Sequence, residues 1–211
     1  MKMLNNKKRN ILVLILTTII LCTPIIAFLS FAQEEKVRNF TDQVAGRLIN
    51  IMSNQSDSTE QKRSKVKDTI DYAFNVKWMA QFALGISYKK LSDQQKDSFP
   101  KLYLNYLLNN YFPLLVRYEK DDSYEIVKIQ RLNDNDYDIK IKLVTKKTEE
   151  PINIKYRARE EGNSLKFLDM IVEGVSTLAS QRAEFSSIVQ RSGVDALFKQ
   201  LEGNKKAKEQ N

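Results

Sequence analysis

The sequence predicts an α+β domain in which N-terminal helices pack on a curved four-stranded antiparallel meander that is followed by C-terminal helices. Three observations predict this fold. Apolar residues recur at helical spacing from Val37 to Tyr118, the period changes to two between Val127 and Val172, and helical spacing returns after Gly174. A sheet that alternates in this way buries one face, and helices cover that face. With 42% hydrophobic residues, the 211-residue chain can fill one core.

The first 32 residues have the pattern of a secretory signal peptide. Four basic residues and no acidic one stand in the first ten positions, and an apolar run follows over residues 11–29. Ser30 and Ala32 then provide small residues at positions −3 and −1, so we expect cleavage after Ala32. The remainder is expected to form one domain over residues 33–203 with a charged, flexible tail at 204–211. The apolar run is nearly long enough to span a bilayer, so an uncleaved membrane anchor is the alternative.

The composition excludes several classes of function. The chain has 34 Lys+Arg, 26 Asp+Glu, one Cys and no His. It therefore cannot supply a Cys/His zinc site, a Ser–His or Cys–His nucleophile, or an intrachain disulfide. The predicted signal peptide holds four of the basic residues and the Cys, so the remainder has 30 basic against 26 acidic residues, a net charge of +4. Such a small excess does not favour a nucleic-acid partner, and we expect none.

Periodicity places three helices near the N-terminus. Residues 37–51, 59–74 and 76–84 each carry their apolar residues on one helical face, and Gly85 suits the C-cap of the third helix. Residues 111–118 are apolar almost all round. Such a segment is either buried or lines a cavity.

A longer helix is predicted to begin at a capping box. Ser92 can accept from the backbone of Gln95, whose side chain reaches back to the N-cap. Pro100 lies inside this helix, where it removes a backbone donor and clashes with the preceding turn. We therefore expect a kink at Pro100 or a restart near Ser98.

Four segments alternate apolar with polar residues and predict the strands of the meander. They are residues 127–130, 137–143, 152–159 and 165–172, separated by short polar turns. One face of the resulting sheet is apolar and the other is basic. After Gly174, helical spacing over residues 178–189 and 194–201, interrupted by Gly193, predicts two closing helices.

Few residues suggest chemistry. Asp169 and Glu173 are candidates for an acid/base pair, but Asp169 on an apolar strand could equally accept from backbone donors or from Arg182. The turn at Asp134 and Asp136 lacks the closing Glu of a calcium loop, which favours a simple hairpin turn.

The basic strand face has two interpretations. It could meet anionic lipid headgroups or an acidic protein partner, and it could equally be a solvated sheet face. The residues that form it are Lys140, Lys142, Lys155 and Arg157.

Several motifs together resemble the MlaC family of periplasmic phospholipid-binding proteins, also called the toluene-tolerance family. The segment Asp-Met-Ile-Val-Glu-Gly-Val-Ser over residues 169–176 is followed by Arg-Ala-Glu-Phe at 182–185 and Gly-Val-Asp-Ala-Leu at 193–197. Upstream, Ala-Leu-Gly at 83–85 and Leu-Ser-Asp-Gln-Gln at 91–95 match as well. Proline at position 100 departs from the family pattern.

The resemblance implies a periplasmic phospholipid carrier without enzymatic activity. Such a carrier shuttles lipid between an outer-membrane lipoprotein complex and the substrate-binding component of an inner-membrane lipid ABC transporter. It buries the acyl chains in an apolar cavity and needs no cofactor, since the phospholipid is cargo. We also expect a monomer. The alternatives are a membrane-anchored periplasmic interaction module and a small α+β enzyme that uses Asp169.

Candidate contacts with the acyl chains follow from position and residue type. Val175 ends the strand region where helix and sheet diverge, and Ile152 opens the third strand beside it. A charge at Val175 would be unpaired in an apolar pocket, so Val175→Glu is expected to abolish lipid loading. The other candidate wall residues are Met79, Phe82, Leu107, Phe112, Val116, Ile141, Ile154 and Ile171.

Overall fold

A computed structural model describes residues 31–116, 122–145 and 150–206, without the side chains of 204–206. Most of the predicted signal peptide, residues 1–30, lies outside this range. The chain divides into two compact units, Met1–Phe40 and Thr41–Asn211. Residues 31–53 are helical (α1), and residues 41–53 of α1 belong to the second unit together with every element below. Among the residues described, no helix combines the length and apolarity that crossing a membrane requires.

Two of the helices before the sheet begin at capping boxes, of which the sequence predicts the one at Ser92. Ser58 and Ser92 each accept from the backbone of a Gln three residues on, and each Gln side chain accepts from the backbone of its Ser. Gly85 ends the third helix with a φ of 60°, a left-handed value that favours glycine. The bounds are α2 Thr59–Ala73, α3 Val76–Leu84, a 3₁₀ helix Gly85–Lys90, and α4 Asp93–Leu115.

Helix α4 runs through Pro100 without a break. The predicted restart near Ser98 is wrong, because α4 already begins at Asp93 and continues to Leu115. Proline removes one helical hydrogen bond. Complete burial of Phe99 and Tyr103 on either side of this position holds the helix in place, since packing rather than propensity supplies most helical stability in proteins.

The sheet is an antiparallel meander of five strands in the order β1-β2-β3-β4-β5. The predicted α+β class is confirmed, with one more strand than expected. The additional strand has only two residues, too few for periodicity to reveal. The strands are β1 Ser123–Arg131, β2 Asp136–Val144, β3 Ile152–Glu161, β4 Ser164–Val172 and β5 Val175–Ser176.

A two-residue turn joins β4 to β5. Glu173 and Gly174 have φ values of 46° and 81°, and positive φ at both central residues is the mark of a type I′ hairpin turn. Val172 and Val175 face each other across this hairpin. Glu173 also binds the start of β3, because its carboxylate accepts from the Asn153 backbone at 2.5 Å.

A bulge interrupts the pairing of β3 with β4. Arg157 pairs with Asp169, but the next residue, Ala158, pairs with Phe167, so Leu168 is the extra residue. An extra residue shifts the alternation of side chains by one position and increases the local twist.

The bulge decides which β4 side chains face the helices. Met170 pairs with Tyr156, and Phe167 lies on the same face although it is three residues from Met170. Ile171 pairs with Lys155 and therefore lies on the opposite, basic face. Strict alternation would have assigned Phe167 and Ile171 to one face.

Two helices close the chain and pack with α4 into a solid core. They are α5 Thr177–Ser192 and α6 Val194–Lys206, separated by Gly193 with a φ of 81°. Helix α6 continues three residues into the segment predicted as a tail. The fully buried side chains of this helical core, defined here as the cluster between α4, α5 and α6, include Phe99, Tyr103, Phe185, Leu197 and Leu201.

Candidate ligand-binding cavity

A cavity of about 420 Å³ lies between the helix-facing side of the sheet and helices α1 to α4. This volume falls within the range of small-molecule sites, which are mostly apolar clefts. The lining residues are Val44, Leu48, Ile70, Phe74, Met79, Leu107, Tyr111, Leu114, Leu115, Asp122, Leu143, Thr145, Ile152, Ile154, Tyr156, Phe167, Met170, Val172 and Thr177.

The exposure of the lining residues locates the mouth of the cavity. Leu114 at the end of α4 is 57% exposed, and Ile152 and Val172 at the ends of β3 and β4 are half-buried. Met79 and Leu107 are almost fully buried. The cavity therefore opens where α4 and β2 end and β3 begins, and it closes beneath α3.

Three aromatic rings form the closed end. Phe74 meets Phe167 edge to face, with ring centroids 5.3 Å apart, and Tyr156 stacks on Phe167 at 4.6 Å. The chain between α2 and α3 is fixed to β4 here, because the Asn75 backbone donates to the Phe167 carbonyl at 3.0 Å. This bond holds the chain between α2 and α3 against the sheet at the closed end of the cavity.

Asp169 organises the start of α5. Its carboxylate accepts from the Ser176 hydroxyl at 2.6 Å and from the Leu178 backbone at 3.1 Å. Ser176 is the N-cap of α5 and accepts from the Ala179 backbone. The Asp169 carboxylate satisfies a backbone donor in the first turn of the helix, and the positive end of the helix dipole stabilises its negative charge. Asp169 is thus a structural acceptor, and it places Thr177 in the cavity wall.

Arg182, the other suggested partner of Asp169, lies elsewhere. Its guanidinium covers the Phe82 ring, 4.8 Å from the centroid. A Cβ at Gly85 would come within 3.2 Å of the same guanidinium. A side chain at position 85 would require only a small shift of Arg182, so the positive φ is the reason that favours glycine there.

A buried hydrogen-bond network ends at the cavity. The Tyr103 hydroxyl donates to the Gln181 carbonyl oxygen, and the Gln181 amide donates to the Tyr111 hydroxyl at 3.3 Å. Burial raises the pKa of Tyr111, against hydrogen bonds from Thr177 and Gln181 that lower it. Burial also raises the pKa of Tyr156 to about 12. Both cavity-lining phenols are therefore neutral at physiological pH.

The basic strand face lies on the other side of the sheet from the cavity. Asp138, which is buried, accepts from Lys155 at 2.9 Å and from Arg157 at 3.5 Å. Lys140 and Lys142 are exposed on the same face. This face cannot contribute to the cavity wall.

Four of the candidate wall residues predicted from the sequence line the cavity: Met79, Leu107, Ile152 and Ile154. Phe112 and Ile141 are buried without lining it. Sequence periodicity marks an apolar face, but it does not distinguish residues that fill a core from residues that border a space.

The other four candidates lie outside the cavity wall. Phe82 packs between Trp78 and Arg182, and Ile171 lies on the basic face of the sheet. Val116 and Val175 are 53% and 61% exposed, each next to a residue that lines the mouth.

Sequence reasoning missed several lining residues that it could have found. Tyr156 belongs to the apolar alternation of β3, and Tyr111 begins the segment that is apolar all round. Phe167 and Met170 carried no such signal, because their shared face depends on the bulge.

The comparison with protein families decides what kind of protein this is. A family model described as MlaC protein matches residues 42–203. The chain belongs to the MlaC family. The resemblance seen in the sequence is therefore confirmed.

Two relatives show how far the likeness extends. The intermembrane phospholipid transport system binding protein MlaC of Haemophilus influenzae is 25% identical over 167 residues, which cover 76% of this chain and 78% of that protein. A solved structure of a phospholipid-binding protein from Ralstonia solanacearum, in complex with a phospholipid, matches with a TM-score of 0.68 at 16% identity. The match covers 79% of this chain and 94% of that one, so the two chains share a fold.

Proposed function

We propose that this chain is a periplasmic phospholipid carrier, exported by a cleaved signal peptide, that holds acyl chains in the cavity. It acts as a monomer and shuttles lipid between an outer-membrane lipoprotein complex and the substrate-binding component of an inner-membrane ABC transporter. The observation that carries the proposal is the mostly apolar cavity of about 420 Å³ between the sheet and the helices. The names of the two similar proteins support it, since one is the binding protein of an intermembrane phospholipid transport system and the other is a phospholipid-binding protein.

The cost of exposing acyl chains explains why a carrier needs such a cavity. Each CH₂ group moved into water costs about 0.8 kcal/mol, so two chains of ordinary length cost on the order of 20 kcal/mol. Contacts with the headgroup cannot offset that amount. The wall offers Leu, Ile, Met and Phe side chains from both the sheet and the helices, which replace the contacts of the bilayer interior.

The cavity also has a cost for the protein. Apolar side chains that border open space lack the contacts that a filled core provides, and this loss lowers stability. Whole domains are stable by only about 5–15 kcal/mol. A fold that keeps this space open is therefore expected to gain stability from an apolar ligand.

An enzyme that uses Asp169 is not supported. Both carboxylate oxygens accept from residues at the start of α5, at 2.6 Å from the Ser176 hydroxyl and 3.1 Å from the Leu178 backbone. Glu173, the other member of the suggested pair, accepts from Asn153. Each carboxylate thus has its own structural role.

Mass spectrometry of the exported protein tests the proposal. Protein purified mildly and then denatured should release phospholipid, and delipidated protein should take up phosphatidylglycerol or phosphatidylethanolamine from vesicles. Protein that carries no lipid and takes up none would contradict the proposal. N-terminal sequencing should find Gln33 as the first residue; retention of residues 1–32 would favour the anchored interaction module instead.

A further inference from the structure

Two aromatic rings and two arginines form a stack on the side of α3 that does not face the cavity. Trp78 and Phe82 are one helical turn apart, and their rings stack with centroids 5.4 Å apart. The guanidinium carbon of Arg159 lies over Trp78 at 5.8 Å, and that of Arg182 lies over Phe82 at 4.8 Å. Neither ring lines the cavity, whereas Met79 on the same helix does. Helix α3 therefore presents one side to the cavity and a second side that carries this stack.

The two arginines differ in what their guanidinium groups bind. Arg159 is paired with Asp136 through two hydrogen bonds of 2.6 and 3.0 Å. Arg182 is exposed on α5, and among the residues that the structure describes, no acceptor binds its guanidinium. The Phe82 ring holds this group from one side, and Gly85 approaches it so closely that a Cβ there would lie 3.2 Å from Nη2. Arg182 thus offers an oriented set of N–H donors without an acceptor.

The apolar surface beside Arg182 extends from α3 into the 3₁₀ helix. Ile86 follows Gly85 and is 76% exposed, and Phe82 is exposed as well. We call the surface formed by Trp78, Phe82, Ile86 and Arg182 the α3 patch. Aromatic and arginine side chains are enriched in protein–protein interfaces, where they supply much of the binding energy. The composition of the α3 patch is therefore that of an interface.

The charge around the α3 patch is positive. Residues 76–90, which form α3 and the 3₁₀ helix, contain three lysines and no acidic residue. These lysines, at positions 77, 89 and 90, are all exposed, and no carboxylate in the described part of the chain binds them. Together with Arg182 they create a region that attracts anionic groups of a partner.

We propose that the α3 patch is a docking site for an acidic segment of a partner protein that also presents an apolar side chain. A carboxylate of the partner would accept two hydrogen bonds from Arg182, which is the arrangement that a guanidinium favours. The apolar side chain would cover Phe82 and Ile86 and remove them from water. The inference goes beyond lipid carriage, because no residue of the patch lines the cavity.

The fixed guanidinium favours a protein partner over a membrane. An anionic membrane attracts any exposed cation, and flexible lysines serve that purpose equally well. A guanidinium held on a ring presents its donors in one direction, which suits a single carboxylate in a defined position.

Fluorescence of Trp78 tests the proposal, because Trp78 is the single tryptophan of the chain and belongs to the stack. The exported protein is titrated with a blocked peptide that contains glutamate and leucine but no aromatic residue. A second titration uses the same peptide with glutamine in place of every glutamate. The glutamate peptide should change the fluorescence saturably and bind at least about tenfold more tightly than the glutamine peptide. Its affinity should fall as the salt concentration rises.

Variants assign this binding to the patch. Arg182→Gln should weaken binding of the glutamate peptide by about tenfold or more, because it removes the charged donors. Arg182→Lys should recover only part of the affinity, since lysine keeps the charge but not the planar fork. Ile86→Ser changes a side chain that is 76% exposed, so the variant should fold normally and bind about threefold more weakly.

Arg191→Gln is the matched control. Arg191 lies on the same helix about two and a half turns after Arg182, which places it on the opposite side of α5. Its guanidinium donates to the Ser187 carbonyl at 3.3 Å, and the variant should bind the glutamate peptide as wild type does.

The outcomes separate the docking site from other occupants and from the carrier. Equal affinity for the two peptides, or wild-type affinity in Arg182→Gln, overturns the docking site. Binding to phosphatidylglycerol vesicles without binding to the glutamate peptide would assign the patch to a lipid surface and also overturn it. Phospholipid uptake should be the same in wild type and Arg182→Gln. Specific peptide binding by a protein that takes up no lipid would support the docking site and contradict the carrier alone.

Discussion

The helical core and the cavity are built from the same residue types but differ in how completely they are filled. In the helical core, Phe185 is fully buried and meets the rings of Phe99, Tyr103 and Tyr106 at centroid distances of 5.2–6.4 Å. Among the described residues of the cavity wall, the aromatic contacts lie at the closed end, and Leu, Ile and Met side chains border open space. Hydrophobicity therefore does not determine which region becomes a ligand site.

Backbone shape explains the difference. Helix α4 serves both regions, with Tyr103 in the helical core and Leu107 in the cavity wall. Helices can approach one another closely, whereas the sheet is bent by bulges at Val127 in β1 and Leu168 in β4. A bent sheet does not follow the surface of the helices along its whole length, and the cavity lies where the two separate.

Truncation in the helical core should have the largest effect on stability. Phe185→Ala removes a fully buried ring that touches three others, so we expect a loss of about 3–5 kcal/mol in the free energy of unfolding. Denaturant titration by circular dichroism measures it. A loss below about 1 kcal/mol would show that this core is as loosely filled as the cavity.

A charge in the cavity wall should remove function rather than stability. Met170→Glu places a carboxylate in an apolar site without a partner, so lipid uptake from vesicles should fall by at least tenfold. The unfolding midpoint should change little, because the new carboxylate can remain hydrated in delipidated protein.

Val175→Glu is the matched control for this charge. Val175 pairs with the lining residue Val172 but is 61% exposed, so its Glu variant should lose less uptake than Met170→Glu. Complete loss of uptake in Val175→Glu would restore Val175 as a contact residue and place the mouth at the β4–β5 hairpin.

The sequence predicts local structure well because its signals are local. The Ser92–Gln95 capping box, the C-cap at Gly85 and the alternation of β2 and β3 depend on residues that are close in the chain. The MlaC resemblance added the expectation of a cavity. The local signals and the resemblance together predicted the α+β class, which the structure confirms.

The cavity wall is predicted only in part because it depends on long-range geometry. Because of the bulge at Leu168, Met170 rather than Ile171 lies on the helix-facing side. The alternation of apolar and polar residues in the sequence does not reveal this bulge. Similarly, Phe112 and Leu107 have the same apolar character on α4, yet only Leu107 borders the space.

Removal of the Asp169 carboxylate should have an intermediate effect. Asp169→Ala leaves the Leu178 backbone donor and the Ser176 hydroxyl without their acceptor, so we expect a loss of about 1–3 kcal/mol in stability. Lipid uptake should decrease only to the extent that the start of α5, which carries the lining residue Thr177, loses its fixed position. Asp195→Ala, in the exposed first turn of α6, is the control and should cost less. Unchanged stability in Asp169→Ala would contradict the structural role.

The smallest effect is expected at the end of the sheet remote from the mouth, where Asp136 binds Arg159. The two side chains are joined at 2.6 and 3.0 Å, and hydrogen bonding to Arg159 holds the pKa of Asp136 below its usual range. A lowered folded-state pKa means that the pair stabilises the protein above the unfolded value of about 3.9. That contribution is lost as the pH falls through the folded-state pKa. Because Arg159 is more than a third exposed, the contribution should stay below about 1 kcal/mol.

Asp136→Asn should therefore flatten the fall in stability below about pH 4 while leaving lipid uptake unchanged. Urea titrations between pH 3 and pH 7 measure the first effect, and vesicle uptake at pH 7 measures the second. Asp134→Asn provides the control, because Asp134 lies in the same turn but is fully exposed, and its acid dependence should match wild type. Reduced uptake in Asp136→Asn would show that the two ends of the sheet are coupled and that the cavity responds to changes far from its mouth.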